Sequence, residues 1–160
     1  MKVAYLHGFE NRGPEEKNAW LHKNFKGVYD PQIDYTEKSI YMNTLLDIKK
    51  FNPDFIIGSS MGGYFAFTIA KQLNIPALMF NPGIHTRSYQ PDMTGLKDQY
   101  NFPEMTFVLG IGDAVINPIK TIRMVKSLPN SPAIIVKGHK HRTSYDLFTK
   151  SVNDFKTKIK

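Results

Sequence analysis

Hydrophobic and polar positions follow two rhythms along this chain. Five short runs are almost continuously apolar: KVAYLHG (2–8), DFIIGS (54–59), PALMFN (76–81), MTFVLGIG (105–112) and PAIIVKG (132–138). Runs of Val, Ile, Leu and Phe with so little polar alternation read as strands buried on both faces of a parallel sheet. A weaker strand is expected near GVYDPQID (27–34), where the proline points to an edge or a loop. Between these runs apolar residues recur every three or four positions, the helical period. Helices are therefore expected over 14–25, which opens PEE, and over 39–51, which stops before Pro53. Three more are expected over 61–73, 118–128 and 143–159.

Regular alternation of strand and helix predicts an α/β fold, a mostly parallel sheet with helices on both faces. With no repeat, low-complexity tract or linker in 160 residues, one domain spanning 1–160 is expected. Residues 82–104 break the rhythm. PGIHTRSYQPDMTGLKDQYNFPE is polar, holds three prolines and joins two strand candidates. So long a connection in a compact domain is usually functional. It is expected to form a small cap over one end of the sheet, with one short helix around Gly95–Tyr100.

Composition narrows the picture by exclusion. The net charge is +7, but the 21 basic residues are spread along the chain and concentrate only in the last helix, KSVNDFKTKIK. No basic-and-aromatic interleave accompanies them, so a solvated basic surface is expected rather than a nucleic-acid interface. MKVAYLHGFE is too short and badly flanked for a signal peptide, and no apolar run approaches a membrane span. Absence of cysteine excludes disulfides and thiolate chemistry and fits a cytoplasmic setting.

The chemistry begins at FIIGSSMGGYFAF (55–67), where Gly58-Ser59-Ser60-Met61-Gly62 spells G-x-S-x-G between a strand candidate and a helix candidate. Such a serine projects from a cramped strand-to-helix turn, and glycines two before and two after remove Cβ atoms that would collide there. The following helix aims free N–H groups at the same spot. A nucleophilic serine also needs a base and an orienting acid, which follow in the order Ser, Asp, His in this architecture. Asp113 lies beyond the fourth strong strand in LGIGDAVIN, while His139 and His141 lie beyond the fifth in VKGHKHR. The carboxyl ends of parallel strands are where sites form in open α/β sheets. Asp92, Asp98 and Glu104 are rivals for the acid, but none ends an expected strand. His141, three residues past Gly138 and just before the last helix, leads as base, with His139 the alternative. HKH lacks the companion ligands a metal site would need, so no metal is expected. For the oxyanion, the first strand ends YLHGF: Gly8 permits a tight bend, the Phe9 and Met61 N–H groups become the candidate donors, and His7 would orient the loop.

YLHGF, IGSSMGGYFA, LGIGDAVIN and GHKHR together resemble the α/β-hydrolase superfamily, and within it the small bacterial YqiA-like esterases. The resemblance in element order runs over nearly the whole chain. It implies a compact α/β-hydrolase fold and a Ser60–His141–Asp113 triad acting on small-molecule esters without a cofactor. It also implies an oxyanion hole at Phe9 and Met61. Acyl transfer by the same residues, or a non-catalytic binding role on the same fold, are the competing expectations. Tyr89, Met93, Tyr100 and Phe102 are candidate acyl contacts, and Lys140 and Arg142 flank the candidate base.

Overall fold

Among the described residues six parallel strands form a single sheet in the order β2-β1-β3-β4-β5-β6: β1 (Lys2–Leu6), β2 (Gly27–Tyr29), β3 (Phe55–Ser59), β4 (Ala77–Phe80), β5 (Met105–Gly110) and β6 (Ala133–Lys137). The structure, a computed structural model, describes residues 1–9, 15–98, 101–130 and 132–160. Among the described residues four helices lie between strands, α1 (Glu15–Asn24), α2 (Ile40–Phe51), α3 (Met61–Leu73) and α4 (Pro118–Lys126), and a fifth, α5 (Tyr145–Lys158), follows β6. This is the α/β-hydrolase fold. Among the described residues no helix is long and apolar enough to cross a membrane.

The continuous apolar runs are explained by a core on each face. Alternate residues of β1, β3, β4 and β5 point opposite ways. Val3, Tyr5, Phe55, Ile57, Leu78, Phe80 and Val108 pack with Leu21 and Phe25 of α1 and with Phe148, Val152 and Phe155 of α5. Ala4, Leu6, Ile56, Ala77, Met79, Phe107 and Leu109 pack with α2, α3 and Val125 of α4. A strand lined by helices on both sides has no polar face to show. The expectation of burial on both faces fails for β6. As the edge strand, it leaves Ala133–Ile135 half-buried and Val136 and Lys137 exposed. The weak strand expected over 27–34 shortens to the edge strand β2, ending before Pro31.

Local chemistry sets the helix ends. Glu15 and Glu16 occupy the first turn of α1, favoured by the helix dipole. Asn117 caps α4 by accepting from the Ile119 and Lys120 N–H groups, with Pro118 in the first turn. Ser144 caps α5 at Leu147 N–H, and Asn52 and Asn74 close α2 and α3 in left-handed geometry.

Residues 82–104 hold no helix among those described, and the helix expected around Gly95–Tyr100 is absent over 95–98; Gln99 and Tyr100 lie outside the described residues. The reason is local. Asp92 Oδ1 accepts from the Thr94 N–H at 2.9 Å and the Thr94 hydroxyl at 2.6 Å, and Gly95 sits at φ 93°, so the backbone turns instead of coiling. Only the start of the segment covers the carboxyl end of the sheet, where Gly83 N–H donates to Ser60 O at 2.9 Å. The remainder runs along α2 and α3. Asp92 Oδ2 accepts from Ser39 N–H at 2.8 Å, and the Gln72 amide donates to Gly95 O at 2.9 Å. The segment reaches the amino end at Glu104, whose carbonyl accepts from Ala77 N–H. It thus spans the sheet where a crossover helix would otherwise run.

Candidate active site

The nucleophile candidate is held by backbone and by lack of space. Ser60 has φ 53° and ψ −115°, outside the left-handed helical well, at an estimated cost of ~1–3 kcal/mol for a non-glycine residue. The turn is locked from three directions. Ser60 N–H donates to Phe80 O at 3.0 Å, and its carbonyl accepts from Tyr64 N–H and Gly83 N–H. A Cβ on Gly58 would strike Gly62 O and the Ala66 Cβ, and one on Gly62 would strike the Leu6 and His7 carbonyl oxygens, all well inside 3.0 Å. These approaches explain the G-x-S-x-G spacing: α3 sits directly on β1 and β3, which leaves no room for a side chain. Although Ser60 precedes α3, its hydroxyl makes no capping bond. It is free for other partners.

That partner is His141, whose Nε2 lies 2.9 Å from Ser60 Oγ while its Nδ1 lies 2.8 Å from Asp113 Oδ2. A carboxylate oxygen only accepts, so Nδ1 carries the proton and Nε2 presents its lone pair to the serine hydroxyl. The Asp113 side chain is fully buried and the His141 side chain 24% exposed. Asp113 is saturated: Oδ1 accepts from the Val115 and Ile116 N–H groups at 2.7 and 2.9 Å, which leaves Oδ2 for His141.

The structure therefore brings Ser60, His141 and Asp113 together across three strand ends and leaves His139 aside. His139 Nε2 faces the Asn81 amide at 3.4 Å, and its buried Nδ1 has no partner among the described residues. Burial pushes the His139 pKa down, with Lys17 adding to the effect and Asp113 opposing it. The rival acids lie elsewhere. Asp92 binds Ser39 and Thr94, and Glu104 pairs with Lys158 at the amino end of the sheet. Asp98 makes no bond to the site residues.

The loop of Gly8 and Phe9 abuts the serine, with a Cβ built on Gly8 falling 3.4 Å from Ser60 Cβ. His7 is buried and accepts from Ile33 N–H at Nε2 (2.9 Å), so its Nδ1–H donates to Gly8 O at 2.6 Å. Buried Tyr35, its phenol pKa pushed far up by desolvation, donates to His7 O at 2.6 Å. These bonds fix the loop from behind. Met61 opens α3, where the first N–H groups have no partner within the helix. Of the candidate acyl contacts, Tyr89 stacks on Phe9 with ring centres 5.5 Å apart, and both are more than a third exposed. Met93 packs against the α2–α3 core, and Phe102 lies under Lys71 toward the far end of the sheet. Tyr100 lies outside the described residues. Lys140 and Arg142 are exposed. Among the described residues no group of three or more His, Cys, Asp and Glu is placed to hold a metal ion.

Two further residues support the site and were not anticipated from the sequence. Lys17 of α1 is buried; its ammonium donates to Thr143 O, just beyond His141, and lies 5.2 Å from the Phe148 ring centre. Burial lowers its pKa, with Glu16 opposing. Asn81, directly after β4, is 98% buried at φ 43°. The only sequence signal for Asn81 is the Asn-Pro pair ending a strand, since asparagine tolerates left-handed backbone better than most residues.

Comparison with known proteins places this geometry in context. A model of the uncharacterised protein family UPF0227 matches residues 2–109. Among solved structures, a monoacylglycerol lipase from Paleococcus ferrophilus superposes with TM-score 0.76 at 12% identity, covering 99% of this chain and 95% of that one. Est1E from Butyrivibrio proteoclasticus superposes with TM-score 0.70 at 15% identity, covering 99% and 87%. The fluorophosphonate-binding serine hydrolase FphF of Staphylococcus aureus gives 0.68 at 13% identity, covering 99% and 83%. At these identities the likeness is one of fold.

Proposed function

The chain belongs to the uncharacterised family UPF0227, and we propose that it is a serine hydrolase that cleaves small-molecule carboxylic esters, thioesters being open to the same chemistry. The observation that carries this reading is the unbroken hydrogen-bonded path from Asp113 through His141 to a serine whose hydroxyl is spared from capping. In the proposed reaction Ser60 Oγ attacks the acyl carbon while its proton passes to His141 Nε2. Asp113 holds the reactive tautomer and stabilises the imidazolium. The Phe9 and Met61 N–H groups receive the oxyanion. His141 then returns the proton to the leaving alcohol, and water repeats the cycle on the acyl-enzyme to release the acid. The exposed Phe9–Tyr89 stack beside Ser60 would offer an apolar surface to the substrate.

A fluorophosphonate probe tests this directly. We expect a single adduct that peptide mapping assigns to Ser60, absent in Ser60→Ala, nearly absent in His141→Ala and retained in His139→Ala. Hydrolysis of p-nitrophenyl acetate should fall by about 10⁶-fold in Ser60→Ala. A folded wild-type protein that neither labels nor hydrolyses overturns the reading in favour of a binding role. Analysis of products with and without added alcohols separates hydrolysis from acyl transfer.

A further inference from the structure

Ser60 is fixed by its own turn, whereas Asp113 and His141 sit on two separate loops that leave the paired strands β5 and β6, whose last shared bond runs from Ile111 N–H to Lys137 O at 2.9 Å. One buried side chain joins them. Asn81 Oδ1 accepts from Gly110 N–H at 2.8 Å, and its amide donates to His141 O at 2.8 Å and Lys140 O at 3.2 Å. Because Gly110 N–H can only donate, the amide orientation is settled, and both its hydrogens point at the histidine loop. Gly110 in turn starts the turn that carries the acid, its carbonyl accepting from Asp113 N–H at 3.1 Å. A second bond between the loops, Gly112 N–H to His139 O at 3.1 Å, lies farther out. Asn81 also continues the β4–β5 ladder through its own N–H to Val108 O, so the amide is anchored to the sheet itself.

From this we infer that Asn81 is a positioning residue of the reaction: its carboxamide sets the separation and angle between the Asp113 turn and the His141 loop. The inference rests on the serine-hydrolase reading above. Asn81 touches no reacting atom and acts only through His141 and Asp113. Its left-handed φ of 43° belongs to the device, because the reversal there aims the side chain across the strand ends toward both loops. A carboxylate in place of the amide keeps the acceptor for Gly110 but turns oxygens toward the carbonyls of residues 140 and 141, which repel it.

Two variants separate the side chain from the backbone. Asn81→Gly keeps the positive φ at no steric cost and removes the carboxamide; Asn81→Asp keeps the Gly110 bond and loses the donors. Displacing a reacting group by about 1 Å costs on the order of 10²-fold in rate. We therefore expect both variants, folded by circular dichroism at the assay temperature, to label with fluorophosphonate about 100-fold more slowly than wild type. On p-nitrophenyl acetate the fall should lie in kcat, with KM within about twofold. In proton NMR the downfield signal of the His141 Nδ1–H bound to Asp113, assigned by its loss in His141→Ala, should vanish or move upfield. A merely structural asparagine would move the melting temperature and leave that signal and kcat alone. Either folded variant labelling within twofold of wild type, its downfield signal in place, overturns the inference. If Asn81→Gly does not fold, Asn81→Asp decides. A wild type that shows the signal but never labels overturns the esterase reading instead, and the positioning claim is then judged by the signal in the variants.

Discussion

The two halves of the site are built by opposite means. On the nucleophile side, Ser60 is held by steric exclusion: neighbouring backbones approach Gly58 and Gly62 too closely for any side chain, and three backbone hydrogen bonds close the turn. On the acid–base side, Gly138 at the root of the histidine loop has open space around it; the loop's backbone packs on Gly110 and accepts from Gly112 N–H, and side chains reach it from across the fold, Asn81 to residues 140 and 141 and Lys17 to residue 143. The first half resists displacement because its neighbours are other backbones, which cannot yield. The second adds to its backbone contacts a few side-chain bonds, from Asn81 and Lys17, that single substitutions remove. A strained serine demands a rigid seat.

The largest effect should come from filling the rigid half. Gly62→Ala forces a Cβ into the carbonyl oxygens of Leu6 and His7, so α3 must lift off β1. Overpacking against backbone costs about 3 kcal/mol, which in a chain of this size lowers the melting temperature by about 10 °C. Gly138→Ala is the matched control. Nothing lies within 4 Å of its Cβ position and its φ is not left-handed. It should melt within a few degrees of wild type, or slightly above, because alanine restricts the unfolded chain. Equal destabilisation by the two substitutions, measured by thermal denaturation, would erase the contrast.

The same contrast explains what the sequence reveals. The fold is legible because five of the six strands described are continuous apolar runs and the helices carry start or stop signals, Glu15 and Glu16 opening α1 and Pro53 following α2. The setting of Ser60 is legible because both glycines that the close approaches demand, Gly58 and Gly62, lie within two residues of it. His141 and His139 are not separable by reading, since the choice turns on Asn81, some sixty residues away, and on a loop path that spacing does not encode. The helix expected near Gly95 fails because Asp92 and Thr94 satisfy the backbone locally, which composition over the window hides. The exposure of β6 is equally invisible, since an edge strand and a central one differ in what covers them and not in their own residues.

A smaller effect should come from His139, which lies in the same half but whose side chain meets the Asn81 amide only at 3.4 Å. His139→Gln should label within about threefold of wild type, far from the 100-fold fall expected for Asn81. It should also change the pH dependence of stability. Burial holds the His139 pKa below its ordinary 6.5, so between that lowered value and 6.5 the unfolded chain binds more protons than the folded one. Wild-type stability should therefore fall as pH drops below 6.5, and His139→Gln should flatten that fall. Urea denaturation at several pH values between 5 and 8 measures it, and parallel profiles would show that His139 titrates as it does in the unfolded chain.

The smallest effect concerns Asp92, and it asks whether side-chain anchoring extends beyond the acid–base loops to the segment leading away from the site. Asp92 ties residues 92–95 to the start of α2 through Ser39 N–H, and its bonds to Thr94 and Ser39 hold its pKa at about 2, against an ordinary 3.8. A carboxyl depressed on folding stabilises the native state when ionised. Its contribution is present above 3.8 and is lost as pH falls through 3.8 toward 2. Asp92→Asn keeps one acceptor oxygen but not the charge, so it should lower the melting temperature slightly at pH 7, with the difference from wild type narrowing below pH 4. The group is solvent-exposed, so added salt should narrow it too. Neither treatment should move the gap between Gly62→Ala and Gly138→Ala, because no titrating group holds the serine turn. A gap between the glycine variants that closed with acid would mean that the nucleophile side also leans on charge, and the division between the two halves would fall.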